Sequence, residues 1–163
     1  MHSQFKIDAT FSFLIYNLTQ KYENFIQLCR EVGMVPIKCI PDVGQYSQLP
    51  PFEDRECFSF ESPNAHNVIF EVLGHSNVVL QAGVNIYFEK TQTSVYEEVF
   101  KQGKKLLDDR FGTGIPEGTT QSPIYNYGDD TLLGYISITM ADYVGINLKI
   151  GNAKVWNKFY PIK

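Results

Sequence analysis

Residues 83–105, GVNIYFEKTQTSVYEEVFKQGKK, decide how this chain is read. Val84, Ile86 and Phe88 alternate with Asn85, Tyr87 and Glu89, the two-residue period of a strand with one wet face. Ser94-Val95-Tyr96-Glu97 then fits a capping box, in which the Ser oxygen accepts from the amide three residues on and the Glu reaches back. Val95, Tyr96, Val99, Phe100, Leu106 and Leu107 keep a helical period, and Glu97 and Lys101 form a favourable i,i+4 pair. A strand, a capped turn and a helix are expected. Gly103 leaves two endings open: it either terminates the helix, making 104–109 a strand, or is passed through before a last helical turn.

Working outward, residues 11–17 (FSFLIYN) read as an earlier strand and 18–32 (LTQKYENFIQLCREV) as a helix. That helix places Tyr22, Phe25, Ile26, Cys29 and Val32 on one face and stops at Gly33. Tyr22-Glu23-Asn24-Phe25-Ile26 lines up with Tyr96-Glu97-Glu98-Val99-Phe100 at an offset of 74, which also sets Phe11 on Asn85 and Phe13 on Tyr87. Two amphipathic helices share such residues by chance, or the chain is an internal duplication. The duplication reading gives modules at 8–74 and 78–150 with a tail at 151–163, all in one domain.

Between these landmarks, 34–40 is a short strand ended by Pro41, and 41–56 (PDVGQYSQLPPFEDRE) is a Pro- and acid-rich loop, a lid or contact surface, or else an ornamental insertion. Strands follow at 57–61 and 67–73, the latter with Val68, Phe70 and Val72 on one face and Glu71 on the other. Residues 74–77 turn the chain. Further on, 112–123 (GTGIPEGTTQSP) reads as a loop without a phosphate-cradle pattern. Strands at 124–127, 133–140 and 144–150 complete the chain, the last two offering Tyr135, Ser137, Thr139, Asn147 and Lys149 on their polar sides. The tail carries Trp156, Phe159 and Tyr160 and has apolar area enough to dock.

The 163 residues carry a net charge of −4 and no basic run, which argues against nucleic acid as the main partner. No stretch approaches the roughly 20 apolar residues of a membrane span. No charged n-region precedes an apolar core at the start, so no signal peptide is evident. Three widely spaced cysteines, Cys29, Cys39 and Cys57, fit reduced thiols of a cytoplasmic protein better than a disulfide framework or a zinc site. Neither a nucleophile elbow nor HExxH nor CxxC is present. His66 and His75 fall in turns, and the pairs Asp108-Asp109 and Asp129-Asp130 read as a solvated helix end and a turn.

Two further stretches carry a resemblance. Ser62-Pro63-Asn64-Ala65-His66-Asn67-Val68-Ile69-Phe70-Glu71 looks like a terminal turn and strand ending in an acid, and 25–36 (FIQLCREVGMVP) like a first helix with a Gly exit. With the element order over roughly 8–150, they resemble the vicinal-oxygen-chelate superfamily, the glyoxalase and bleomycin-resistance fold. The resemblance implies an α+β architecture of two βαβββ modules, mostly antiparallel curved sheets with one amphipathic helix each. It also implies a shared cup, with metal ligands on the first and last strand of each module. Carried over, the last-strand acid of the first module is Glu71, whereas the second module has Asn147 and Lys149 there, and the first strands offer Phe11, Phe13, Asn85 and Tyr87. A divalent ion needs three or four converging ligands. The resemblance therefore implies a non-metal, cofactor-free member that sequesters drug-like molecules.

The expected ligand residues are Glu71, Asn85, Tyr87, Glu89, Tyr135 and Lys149, with no catalytic or metal-binding set. Tyr rings with a few charges suit an aromatic or cationic small organic ligand. An antiparallel sheet with one face in solvent shows the same alternation without any ligand. Two other functions stay open. One is an acidic immunity protein neutralising a basic bacterial toxin; the other is a divergent enzyme using Glu71 and Tyr87 as acid and base. A homodimer is compatible with each.

Overall fold

The alternation in residues 83–88 belongs to a longer strand at the centre of one sheet. The computed structural model describes residues 5–39 and 51–159. Two helices come first, α1 (Ile7–Asn17) and α2 (Tyr22–Glu31), followed by four strands: β1 (Val35–Ile37), β2 (Asp54–Ser59), β3 (Asn67–His75) and β4 (Val78–Phe88). A long helix, α3 (Thr93–Phe111), leads to four more, β5 (Ile115–Gly118), β6 (Pro123–Gly128), β7 (Leu132–Met140) and β8 (Val144–Asn152), and α4 (Ala153–Phe159) closes the described chain. The protein is α+β, with an eight-stranded, wholly antiparallel open sheet in the order β1-β2-β3-β4-β8-β7-β6-β5.

The two-residue period explains which face the helices cover. Val68, Phe70 and Val72 of β3, Val84, Ile86 and Phe88 of β4, and Ile146, Leu148 and Ile150 of β8 are all buried on one side. They join Leu14, Phe25, Ile26 and Cys29 of the first two helices, Leu18 at the end of α1, and Tyr96 and Leu107 of α3, in a single core. Each fully buried Leu or Phe contributes about 1.5–3 kcal/mol. The opposite side of β3, β4, β7 and β8 carries the polar residues and is free of α1–α3.

Several expectations need correction. Residues 11–17 are not a strand but most of α1. Ile7, Phe11, Leu14 and Leu18 are buried at spacings of three and four, so helical burial outweighs the Phe11-Phe13-Ile15 alternation that imitates a strand. The first half therefore opens with two helices and runs into four strands, and the first-strand position that the resemblance gave to Phe11 and Phe13 is helical. The 74-residue offset keeps its helical part, with Tyr22 and Tyr96 both buried, but sets helix on strand at Phe11 and Asn85. Val32 lies just past α2 and is exposed, whereas Gly33, at φ 90°, does stop that helix.

At α3, Ser94 is already inside the helix. Gln92 is the N-cap residue: its carbonyl accepts from the amides of Val95 and Tyr96, and its side-chain oxygen accepts from the Glu89 amide at 2.9 Å. Gly103 does not end the helix. A Cβ there would lie 2.6 Å from Ile136 Cδ1 and 3.0 Å from Ile7 Cδ1, so the glycine lets α3 approach both the sheet and α1. The helix runs on to Gly112, whose φ of 86° supplies the left-handed stop.

The stretch 112–123 contains an edge strand, β5, all four of whose residues are exposed. With neither face buried it has no apolar alternation to read. The expected loop 41–56 lies outside the described residues as far as 50, and its last residues, from Asp54, enter β2. Both edge strands are short and hold a proline at their second position, Pro36 in β1 and Pro116 in β5. A proline offers no amide to an incoming strand, which blunts an edge against further pairing.

Candidate functional site

The central pair β4–β8 sets the floor of the open face. Its register opposes Gly83 to Lys149, Asn85 to Asn147 and Tyr87 to Gly145. Both strands carry the same local pattern, Gly83-Val84-Asn85-Ile86 and Gly145-Ile146-Asn147-Leu148. Gly83 makes room for the long side chain opposite: a Cβ there would sit 2.8 Å from Lys149 Cγ. At Gly145 a Cβ would sit in ordinary contact with the Tyr87 ring, at 3.5 Å. Lys149 can thus lie across the floor instead of standing off it.

On this floor lies a concavity of about 380 Å³, within the range of small-molecule sites. Glu71, Asn85, Tyr87, Tyr135 and Lys149 line it, as do Thr139 and Asn147. Glu89, the sixth residue expected, lies one position past β4, exposed, with Oε1 3.6 Å from His66 Nδ1. His66 stacks on Tyr143 at 4.2 Å between ring centroids, so this group borders the concavity through Tyr143.

The first half of the sheet contributes an ion pair. Arg55 Nε donates to Glu71 Oε2 at 2.8 Å, with only 16% and 13% of the two side chains exposed. Arg55, Cys57 and Lys38 also line the concavity and were not anticipated. The signal for Arg55 was available: Arg55, Cys57 and Ser59 alternate with Glu56, Phe58 and Phe60, so running the strand back two residues puts Arg55 on the face of Glu71, diagonal to it and next to Cys57, which opposes the acid. Burial, with hydrogen bonding to Cys39 and the charge of Glu71, pushes the Cys57 thiol up to about 12, so it stays protonated at neutral pH.

The second half contributes Lys149, whose Nζ lies 5.7 Å from the centre of the Tyr135 ring. Burial pulls the Lys149 ammonium below its ordinary value, and the charge of Glu71 opposes this only in part. Tyr87 is held in its protonated form by burial and by Glu71, so at neutral pH it donates hydrogen bonds and is not a base. Asn147 Nδ2 donates to Ser137 Oγ and Thr139 Oγ1, both at 3.0 Å. Asn85 Oδ1, by contrast, is buried and has no partner among the described residues.

One end of the open face is walled by α4. Trp156 Nε1 donates to the Leu80 carbonyl at 3.3 Å, and the indole packs over Gly151. Gly151 is two residues from Lys149 on the same side of β8, so the glycine that the tryptophan covers lies about 7 Å along the strand from the lysine. The remaining polar groups singled out in the sequence serve the scaffold. Tyr127 Oη donates to Asp108 Oδ1 at 2.7 Å, tying β6 to α3, and Asp129 accepts from the amides of Thr131 and Leu132 in the β6–β7 turn. His75 pairs with Glu53 at 3.1 Å.

Among the described residues no cluster of three or more His, Cys, Asp and Glu is placed to hold a metal ion, and no helix is long and apolar enough to cross a membrane. No family model and no solved structure matches the chain. A stretch of 99 residues, 60% of the chain, is 31% identical to part of a probable cysteine protease ATG4 from Vanderwaltozyma polyspora and spans 22% of that protein.

Proposed function

We propose that this chain is a non-metal binding protein that sequesters a small organic molecule bearing an aromatic ring on the open face of its sheet, in the manner of antibiotic-resistance binding proteins. The observation that carries the reading is the convergence of Glu71, Asn85, Tyr87, Tyr135 and Lys149 on one concavity of about 380 Å³. The tyrosines offer stacking surface, and the charges and amides offer orientation. A duplicated architecture belongs to the same reading. Its support is the repeated Gly-x-Asn pattern of β4 and β8 and the two successive runs of one helix and four strands, α2–β4 and α3–β8. The glyoxalase-like resemblance bears on this proposal only through its sequestering, metal-free members.

Cysteine-protease chemistry is not proposed. That chemistry needs a thiolate beside a base; Cys57 holds its proton, and among the described residues no histidine lines the concavity. Trp156 is the single tryptophan of the chain and stands at the end of the proposed site, so its fluorescence reports occupancy. Titrating a panel of aromatic acids, amines and neutral phenols, a saturable change in emission is expected with a parallel rise in melting temperature. Silence of both signals across the panel overturns the reading. A second reading, neutralisation of a basic toxin through protein–protein contact, draws on the net charge of −4. Its test is a stoichiometric complex with a purified basic partner that persists when the concavity is altered by Tyr87→Ala.

A further inference from the structure

We infer that the occupant of this concavity is an organic anion: an aromatic carboxylate with a hydrogen-bond donor, its carboxylate on Lys149 and its donor on Asn85. The inference rests on the sequestering reading above. It starts from a local inversion of charge. The whole chain is acidic at −4, yet the described lining of the concavity holds Lys38, Arg55 and Lys149 against Glu71 alone. Glu71 is engaged by Arg55 at 2.8 Å. Lys149 makes no salt bridge among the described residues, and the group its Nζ faces is the Tyr135 ring. A half-buried ammonium that no carboxylate bridges is costly, and the same low polarity strengthens its attraction for an anion that enters. An entering cation would instead meet Lys149 directly, with Glu71 already committed to Arg55.

Asn85 offers the second contact. Its Oδ1 is a buried acceptor lacking a donor, and the residue beside it on β3 is Ile69, which has none to give. The equivalent place beside Asn147 is filled by Ser137. A ligand hydroxyl or N–H satisfies Asn85, while Tyr87 and Tyr135 supply rings for an aromatic body. One enclosed cation suits a carboxylate better than a phosphate, which calls for more donors.

The test compares three probes that share a phenol ring and differ in their end group: 3-(4-hydroxyphenyl)propionate, its primary amide and 4-hydroxyphenethylamine. By isothermal titration the acid is expected to bind about tenfold or more tightly than the other two. Lys149→Met is expected to erase that preference and Lys149→Arg to retain it, with melting curves confirming that both variants fold. Asn85→Leu is expected to erase the advantage of the acid over 3-phenylpropionate, which lacks the hydroxyl. Equal or tighter binding of the amide or amine overturns the anion inference and leaves the sequestering reading standing. If all three probes are silent at millimolar concentration while an amine or a neutral phenol of the panel binds, the inference falls alone; silence of the whole panel removes both.

Discussion

Asn85 and Asn147 face one another across the two middle strands, each inside the same Gly-x-Asn run, yet their side chains live differently. Asn147 is tied down by Ser137 and Thr139, two hydroxyls on the adjoining strand. Asn85 has Ile69 and Glu71 in the matching places, the Glu drawn toward Arg55, and its carbonyl oxygen stays without a donor. The backbone makes the two positions alike, and the neighbouring strand decides whether the amide is consumed internally or left for something else. Charge follows the same division. The β1–β4 half neutralises its carboxylate with its own arginine, and the β5–β8 half encloses a lysine with no acid of its own beside it.

The comparison breaks most visibly at the ion pair. Arg55→Ala leaves the Glu71 carboxylate in a largely buried place, and a loss of about 2–3 kcal/mol in urea denaturation is expected. Adding Glu71→Gln should recover part of it, since the two residues act as a pair. A cost below about 0.5 kcal/mol would place the pair among surface contacts and remove the asymmetry. Lys149→Met runs the other way. Relieving an enclosed ammonium should stabilise the unliganded protein by about 1 kcal/mol, raising the melting temperature by about 2–4 °C at neutral pH. The folded chain holds this proton less tightly than the ordinary lysine value of 10.5, so the penalty is complete below the folded-state pKa. Between that pKa and 10.5 the unfolded chain binds more protons and stability rises with pH, so the gap between variant and parent should close there. A gap that widens toward alkaline pH would contradict the assignment.

Smaller effects sharpen the contrast at the two amides. Ser137→Ala withdraws one of the two acceptors from Asn147, which should cost about 1 kcal/mol in the same denaturation experiment. Ile69→Thr brings a hydroxyl beside Asn85 at a stability change of about 0.5 kcal/mol or less, and it should reduce the advantage of a hydroxylated ligand over its deoxy analogue. An unchanged advantage would mean that Asn85 does not read the hydroxyl. Smallest in stability is Pro116→Val on the exposed β5, expected within about 0.5 kcal/mol; its signature is concentration-dependent association in sedimentation velocity.

Much of this arrangement was legible in the sequence, for physical reasons. Strands buried on one face alternate strictly, so β3, β4, β7 and β8 and their polar faces could be read from Val, Ile and Phe spacing, and with them Glu71, Asn85, Tyr87, Tyr135 and Lys149. What escaped lacked that constraint or obeyed two periods at once. The run FSFLIYN with the Leu18 that follows it fits a strand at Phe11, Phe13 and Ile15 and a helix at Phe11, Leu14 and Leu18, and only packing decides between them. The edge strand β5 buries nothing and so leaves no pattern. Gly103 looks like a helix stop because a stop and a close approach use the same residue for opposite reasons. Arg55 was missed because the strand was begun at Cys57, and Glu89 keeps the parity of the open face but lies beyond its last paired residue.

The prolines at the two rims carry a consequence for assembly. Pro36 and Pro116 withhold an amide from any strand arriving at either border, which disfavours adding to the eight strands of the described residues. A second molecule that associates with this one is therefore expected to meet it broadside. On one broad side lie α1, α2 and α3; on the other, the hollow with Lys149 and Asn85, walled at one end by α4. Self-association through the latter would seal the entrance, and small-molecule uptake would then fall as protein concentration rises.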